Sequence, residues 1–332
     1  AWVVSVMLPP MAIFFPIFTL LEDLGYLPRV AFNMDRLFRA AGAHGKQALT
    51  MGMGLGCNAA GVIACRVIDS PRERLIAILT NNFMPCNGRW PTLILLATLF
   101  IAAPFPPALA AVAAAGSLVL VVFLGAVVTL VVSAVLSRTT LKGEASSFTL
   151  ELPPYRRPNL LQVLYTSLID RTLFVLWRAV VIAAPAGGLI WLMGNLQVAG
   201  RSLTAWAAGW LNPVGQMIGL DGVILLAYII ALPANEIVVP TILMAYANAG
   251  MMIEGDNLEQ VRQLLGQNGW TLMTAISLML FSLLHNPCST TIWTIYKETG
   301  SKKWAAVSAL MPLGIAFALL FVLNLVVRLL GA

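Results

Sequence analysis

Charge is scarce in this sequence. Charged residues make up 10% of 332 positions and hydrophobic residues 59%, where a soluble globular chain carries roughly 25% charged. Histidine occurs twice and cysteine four times. No phosphate-binding Gly-x-x-x-x-Gly-Lys-Ser/Thr loop is present, and no His-Glu-x-x-His, Cys-x-x-Cys or Ser-His-Asp set. Gly52-x-Gly54-x-Gly56 does not replace the loop, because it lies inside an apolar run with no strand before it. The residues therefore give no reason to expect an enzyme. The net charge of +6 is carried by Lys and Arg in connecting segments, as anionic lipid and the positive-inside rule require. No basic stripe with interleaved aromatics marks a nucleic-acid partner. Short alternating strands of a membrane barrel are absent too. No basic leader or cleavage site precedes Trp2, which already opens a span, so a signal peptide is not expected. The chain reads as a fragment or processed product that lacks an N-terminal part.

Apolar runs long enough to cross a bilayer recur from end to end. They predict an all-α fold: a polytopic helical membrane protein with two pairs of broken helices. Trp2 to Leu21 is the first segment, kinked by Pro9, Pro10 and Pro16. Tyr26 to Lys46 is amphipathic, either an interfacial helix or a solvated one. The second segment, Ala48 to Val67, breaks at Gly52–Asn58, and the third, Leu75 to Ala103, at Asn81–Pro91. Between them Ser70, Pro71 and Glu73 spell a capped helix start. Ala108 to Leu136 is an uncharged packing helix. Arg138 to Arg171 is the largest polar connection, placed in the cytoplasm by its basic residues, with Glu151–Tyr155 extended and an interfacial helix over Asn159–Asp170. Thr172 to Leu196 is the fifth segment, and Asn195 to Asp221 reads as an aromatic interfacial loop. The sixth, Gly222 to Ala247, breaks at Pro233–Glu236 and again at Pro240. A polar loop, Gly250 to Asn268, precedes the seventh, Trp270 to Tyr296, which breaks at His285–Cys288; Trp304 to Leu330 is the eighth. The chain thus divides into a first gate-containing half (1–137), a connection (138–171) and a second half (172–332).

The breaks organise the rest. In hydrocarbon a broken helix is tolerated only where it faces protein or a wet cavity, and transporters aim such breaks at an ion. Pro85-Cys86-Asn87 in the third segment echoes Pro287-Cys288-Ser289 in the seventh. Cys57, Cys86 and Cys288 each follow a Gly or Pro at a break, where thiolates suit a transition metal; the bland alternative is small apolar filler. Cys65 lies in an unbroken run and is assigned to packing. Glu236 is the acid well inside a span, a functional candidate by its cost of burial, or else the partner of a buried Arg or of a helix N-terminus. Asn58, Asn82, Asn87, Asn235, Asn286 and Ser289 offer oxygen ligands or satisfy broken backbone. Arg89 either snorkels or holds a carboxylate; His285 is a ligand or a helix-end hydrogen bonder.

These motifs carry a resemblance. Leu21-Glu22-Asp23-Leu24-Gly25-Tyr26, Asn33-Met34-Asp35-Arg36, Gly54-Leu55-Gly56-Cys57-Asn58, Pro71-Arg72-Glu73-Arg74, Phe83-Met84-Pro85-Cys86, Glu151-Leu152-Pro153, Asn235-Glu236-Ile237-Val238-Val239 and Asn286-Pro287-Cys288 follow in order along nearly the whole chain. The chain resembles the membrane domain of the ferrous iron transport protein B family. The resemblance implies Fe²⁺ as transported substrate, taken up across the bacterial inner membrane between two gate motifs, with the gate cysteines Cys57, Cys86 and Cys288 as metal ligands; Glu236, from the cost of its burial, completes the expected metal set. It also implies an N-terminal GTPase domain, through which alone GTP and Mg²⁺ would enter, and small cytoplasmic Feo accessory proteins or a homo-oligomer as partners. The rival class is a nucleoside or other solute carrier with the same gates, and a third is a membrane scaffold without transport.

Overall fold

Short polar side chains start the helices. In a computed structural model, which describes residues 2–143, 201–247 and 258–330 with 165, 177, 181, 185, 187, 188, 191–193 and 195–198 between them, Ser70 accepts from the Glu73 amide, as its sequence predicts. Asp221 and Thr271 cap Ile224 and Thr274 in the same way, at 2.7 and 3.2 Å. Each satisfies an amide that the first helical turn leaves without a partner.

The protein is an all-α, multi-pass membrane protein. Its helices are α1 (Trp2–Asp23), α2 (Tyr26–Ala40), α3 (Gln47–Gly56), α4 (Asn58–Ala64), α5 (Pro71–Thr80), α6 (Trp90–Leu96), α7 (Pro107–Arg138), α8 (Leu203–Met217), α9 (Gly222–Ile230), α10 (Val238–Tyr246), α11 (Leu258–Gln267), α12 (Leu272–Leu284), α13 (Ser289–Thr299) and α14 (Lys302–Leu329). A two-residue hairpin pairs Gln197–Val198 with Arg201–Ser202. Among the described residues three stretches are long and apolar enough to cross a bilayer: Pro107–Arg138, Leu272–Thr299 and Lys302–Leu329. They become five if two bent pairs count as spans, α1 with α2 at 81° and α8 with α9 at 111°. Gly25, at φ 73°, makes the first of these bends, a conformation that only glycine takes without strain. Beyond it α2 buries Leu27, Ala31 and Phe38 and exposes Tyr26, Phe32 and Leu37.

The chain forms two compact units. Unit 1 comprises Ala1–Asn87, Val122–Val180 and Ser289–Leu310, and unit 2 comprises Gly88–Val121, Val181–Cys288 and Met311–Ala332. Lipid tails are as apolar as leucine, so helices in a bilayer associate by close packing rather than by escape from water. Unit 1 uses its glycines for that. Gly52 and Gly56, one turn apart, face α1: a Cβ on Gly52 would sit 3.2 Å from the Phe18 ring, and one on Gly56 only 2.5 Å from Phe14. Phe14 and Phe18 stack at 5.8 Å, and Met11, Phe15, Met53 and Ala60 close the layer. A second cluster of Val62, Cys65, Ile68, Ala77, Ile78 and Ile295 joins α4, α5 and α13. Unit 2 is tied by polar side chains as well. Asn324 of α14 donates to the Ile218 carbonyl at 2.8 Å, Phe100 stacks on Trp270 at 5.9 Å, and Phe281 meets Phe317 edge-on at 6.0 Å.

Four expectations need correction. Leu203–Met217 is a helix, not an interfacial loop: Ser202 caps it, Pro213 is accommodated inside it, and Trp210 is left 85% exposed. Pro240 breaks nothing, because it stands in the first turn of α10, where its missing N–H is not needed. The polar loop after Gly250 contains α11, whose Val261 and Leu265 are buried. The break in the second segment is narrower than expected, since α3 runs helical through Gly52 and Gly54 to Gly56. Most of the expected fifth segment and of the 138–171 connection, including its extended and interfacial parts, lies outside the described residues.

Candidate functional site

In unit 1 the break between α3 and α4 is a single residue. Cys57 is extended (φ −152°, ψ 123°) while Met53 and Gly61 on either side keep helical hydrogen bonds to it. Asn58 then turns its amide nitrogen to Asn82 Oδ1, at 3.4 Å, and Asn81 donates to the Asn58 carbonyl at 3.1 Å. Those bonds fix which way each carboxamide faces. The Asn58 and Asn81 oxygens are buried and meet no donor among the described residues. Both lie over Gly54, 3.4 and 3.0 Å from where its Cβ would be. Gly61 gives Asn81 room on the other side, since a Cβ there would sit 2.5 Å from its Nδ2. Asn81 is thus a residue that the reading of candidate ligands missed. No sequence signal marks it, because Gly54 on α3 and Gly61 on α4 are brought to it only by folding. Met84 and Cys86 follow, with Cys86 buried, and Asn87 carries a buried amide nitrogen without a hydrogen-bond acceptor among the described residues.

Unit 2 repeats this backbone with different side chains. Ala234 is extended at φ −153° and ψ 113°, nearly the angles of Cys57, and is likewise followed by an asparagine. Asn235 Oδ1 lies 3.4 Å from His285 Nε2. The other ring nitrogen of His285 faces the Phe281 and Ser282 carbonyls at 3.2 and 2.8 Å, at the end of α12. Arg89 does not snorkel: it is 1% exposed, and its guanidinium donates to the Leu283 and His285 carbonyls at 2.9 and 3.2 Å. A cation on the carbonyl end of α12 is the favourable placement for a helix dipole. Glu236, 4% exposed, occupies a single 3₁₀ turn (Asn235–Ile237) before α10.

The remaining candidates fall as follows. Cys57 and Cys288 are half-buried, and none of the four cysteines is in a disulfide. Asn286 donates to the Pro287 carbonyl at 3.4 Å. Ser289, the first residue of α13 and part of unit 1, has a buried hydroxyl that meets no hydrogen-bond partner among the described residues. Cys65 packs in the apolar cluster, its thiol 3.3 Å from the Gly61 carbonyl. Among the described residues no three His, Cys, Asp or Glu side chains come together in a metal-holding group.

Residues 4–100 and 176–302 match the family model described as Gate: nucleoside recognition. The chain belongs to this gate family. Residues 118–170 of this gate-family chain match a second model, the ferrous iron transport protein B C terminus. An Fe(2+) transporter FeoB of Staphylococcus aureus (strain MSSA476) is 31% identical over 333 residues, which cover 96% of this chain and 46% of that protein. A FeoB of Campylobacter jejuni is 27% identical, covering 96% of this chain and 52% of that one. An Fe(2+) transport protein A/FeoB fusion protein of Porphyromonas gingivalis is also 27% identical, covering 96% and 42%. The resemblance carried by the gate motifs is therefore shown, and the chain spans about half the length of the curated relatives it matches. No solved structure matches it.

Proposed function

We propose that this chain is the permease domain for Fe²⁺ uptake across a bacterial inner membrane, divided into gate-containing segments 1–137 and 172–332 joined by a cytoplasmic connection, 138–171. The observation that carries the reading is the repeated break. Cys57-Asn58 and Ala234-Asn235 share one extended geometry inside apolar helices, and each pair leads to a second break at Pro-Cys. Such paired breaks are how transporters present backbone and side chains to an ion, and the printed activity of the relatives is Fe(2+) transport.

In this reading Cys57, Cys86 and Cys288 offer sulfur by turns, and Glu236 offers compensating negative charge. Asn58, Asn87, Asn235, Asn286 and Ser289 support them. Fe²⁺ accepts thiolate, carboxylate and amide ligands alike. Ligands that do not assemble into one closed cage suit an ion that must be handed on, because a transport site has to release what it binds. The chain itself does no GTP chemistry. A GTPase domain acts with it from the cytoplasmic side, and so do Feo accessory proteins; for the latter alone the fusion relative, which joins Fe(2+) transport protein A to FeoB, gives support. The nucleoside reading is weaker. Tyr228, Phe281 and His285, the aromatic rings at the second break, are buried and pack on one another at 4.7–5.9 Å, so they do not offer a face to a base.

The test is uptake into proteoliposomes by the full-length protein that contains this chain, comparing Fe²⁺ with Mn²⁺, Zn²⁺ and a nucleoside. Saturable Fe²⁺ uptake with no nucleoside flux is expected. Nucleoside uptake without metal uptake would overturn the assignment.

A further inference from the structure

We propose that Gly88 is a positioning residue for the Glu236 carboxylate: the missing side chain at 88 is the space in which that carboxylate is held. This rests on the reading of Glu236 as an ion-facing charge and adds the residue that sets where the charge lies. A Cβ built on Gly88 would stand 2.8 Å from Glu236 Oε1 and 2.9 Å from its Cδ, and 3.4 Å from the Asn235 Cβ. Real side chains do not approach closer than about van der Waals contact without a shift, so the carboxylate lies directly against the bare Cα of Gly88.

Three features make this a matter of space rather than backbone. Gly88 is buried in the 3₁₀ turn Asn87–Arg89 and is not among the glycines with positive φ, which are Gly25, Gly42, Gly219, Gly269 and Gly300. Its conformation is therefore open to alanine. No backbone atom is among the three nearest neighbours of the built Cβ, so the group that must yield is the end of a flexible side chain. The turn itself is held on its other side, since Arg89 donates to the Leu283 and His285 carbonyls. A methyl at 88 would consequently move the carboxylate and leave the fold in place. Gly222 is the contrast within the same unit. Its built Cβ runs into the Ala208 carbonyl and the Asn212 amide nitrogen, so alanine there would push helix α8.

The experiment measures Fe²⁺ uptake and melting temperature of the full-length protein carrying Gly88→Ala, Glu236→Asp, both together, and Glu236→Gln. Displacing a charged group by about 1 Å can cost up to 10²-fold where alignment matters. Gly88→Ala is expected to lower uptake about tenfold with an unchanged melting temperature. Aspartate is one methylene shorter and withdraws the carboxylate from residue 88. With Glu236→Asp already in place, Gly88→Ala should therefore cost less than about twofold. Additive losses in the double variant overturn the proposal. So does a lowered melting temperature for Gly88→Ala whose uptake Glu236→Asp fails to rescue, because Gly88 would then be a packing residue. Impaired Glu236→Gln with normal Gly88→Ala sinks the positioning role alone. Normal uptake by Glu236→Gln sinks both this inference and the reading of Glu236 on which it rests.

Discussion

At the first break the asparagine after the extended residue meets another asparagine; at the second it meets a histidine. Asn58 donates to Asn82 across α4 and the turn after α5, and Asn235 faces His285 across the turn before α10 and the end of α12. Around Asn58 lie neutral carboxamides seated on Gly54 and Gly61. Around Asn235 lie Glu236, Arg89 and His285, all buried. The same bend of backbone has thus been given two chemistries. Neutral oxygens bind a cation weakly and need no counter-charge, whereas a carboxylate is costly to bury and holds a cation firmly when one arrives. The two breaks share one backbone geometry, and the residue after each asparagine, Ala59 or Glu236, sets the charge beside it.

The harshest test moves the charge to the wrong break. Ala59 is 3% exposed and packed in unit 1. Ala59→Glu should cost about 3 kcal/mol or more in overpacking and uncompensated charge. Little folded protein would be recovered on size-exclusion chromatography. A monodisperse, fully active Ala59→Glu protein would show that the two breaks are chemically interchangeable. Next comes removal of the charge where it belongs. Glu236→Gln keeps shape and loses the anion, and a lost contact to a charged group of about 1.5–3 kcal/mol corresponds to tenfold or more in Fe²⁺ uptake. The melting temperature should hold or rise, because a buried charge has become neutral.

Among the cysteines the expected effect is smaller and selective. Cys86→Ser keeps size and weakens a soft ligand, so uptake should drop several-fold, about 1 kcal/mol of affinity. Cys65→Ser sits in the apolar cluster with Ile68 and Ile78, and it should leave the transport rate per folded molecule unchanged. If Cys65→Ser alone abolishes transport at equal expression, the sulfur assignment is wrong. The smallest effect belongs to the charged turn of unit 1. Asp69 is held below the usual carboxylate range by the Lys46 ammonium that bonds it at 2.9 Å. A depressed carboxylate adds stability above its unfolded pKa and loses it as pH falls through the folded one. The side chain is 83% exposed, so water screens most of the gain. Asp69→Asn should move the melting temperature at neutral pH by about 2 °C or less, and that small difference should vanish in strongly acidic buffer.

The breaks are legible because asparagine beside glycine or proline inside an apolar run is costly unless broken backbone gives it partners. Cys57, Pro85-Cys86 and Pro287-Cys288 lie where that logic puts them, and the Ser70 cap follows from three letters. Leu203–Met217 is the miss: Trp206, Trp210 and Pro213 look like an aromatic interfacial loop, yet they stand on one helix that Ser202 caps, with Gly215 packed against the backbone of Leu220 and Asp221 at the bend into α9. The roles of Asn81, Gly88 and Arg89 were out of reach. Each depends on a partner far along the chain: Arg89 on carbonyls 194 and 196 residues away, and Gly88 on a carboxylate that no local pattern links to it. Residue type announces that a helix stops, but only packing tells which group the stopped helix serves.

The pairing of α4 with α13 has a consequence for how the protein is made. Arg66 and Glu298, 232 residues apart, are joined by two hydrogen bonds, and Ile295 completes the cluster built on Val62 and Cys65. At a translation rate of about 5–20 residues per second, roughly 10–50 s separate the synthesis of these partners. Throughout that interval the early helices stand in the membrane without their last neighbour, and a ribosome that stops short of Glu298 leaves them so. Assembly of α4 with its full set of neighbours therefore waits on α13.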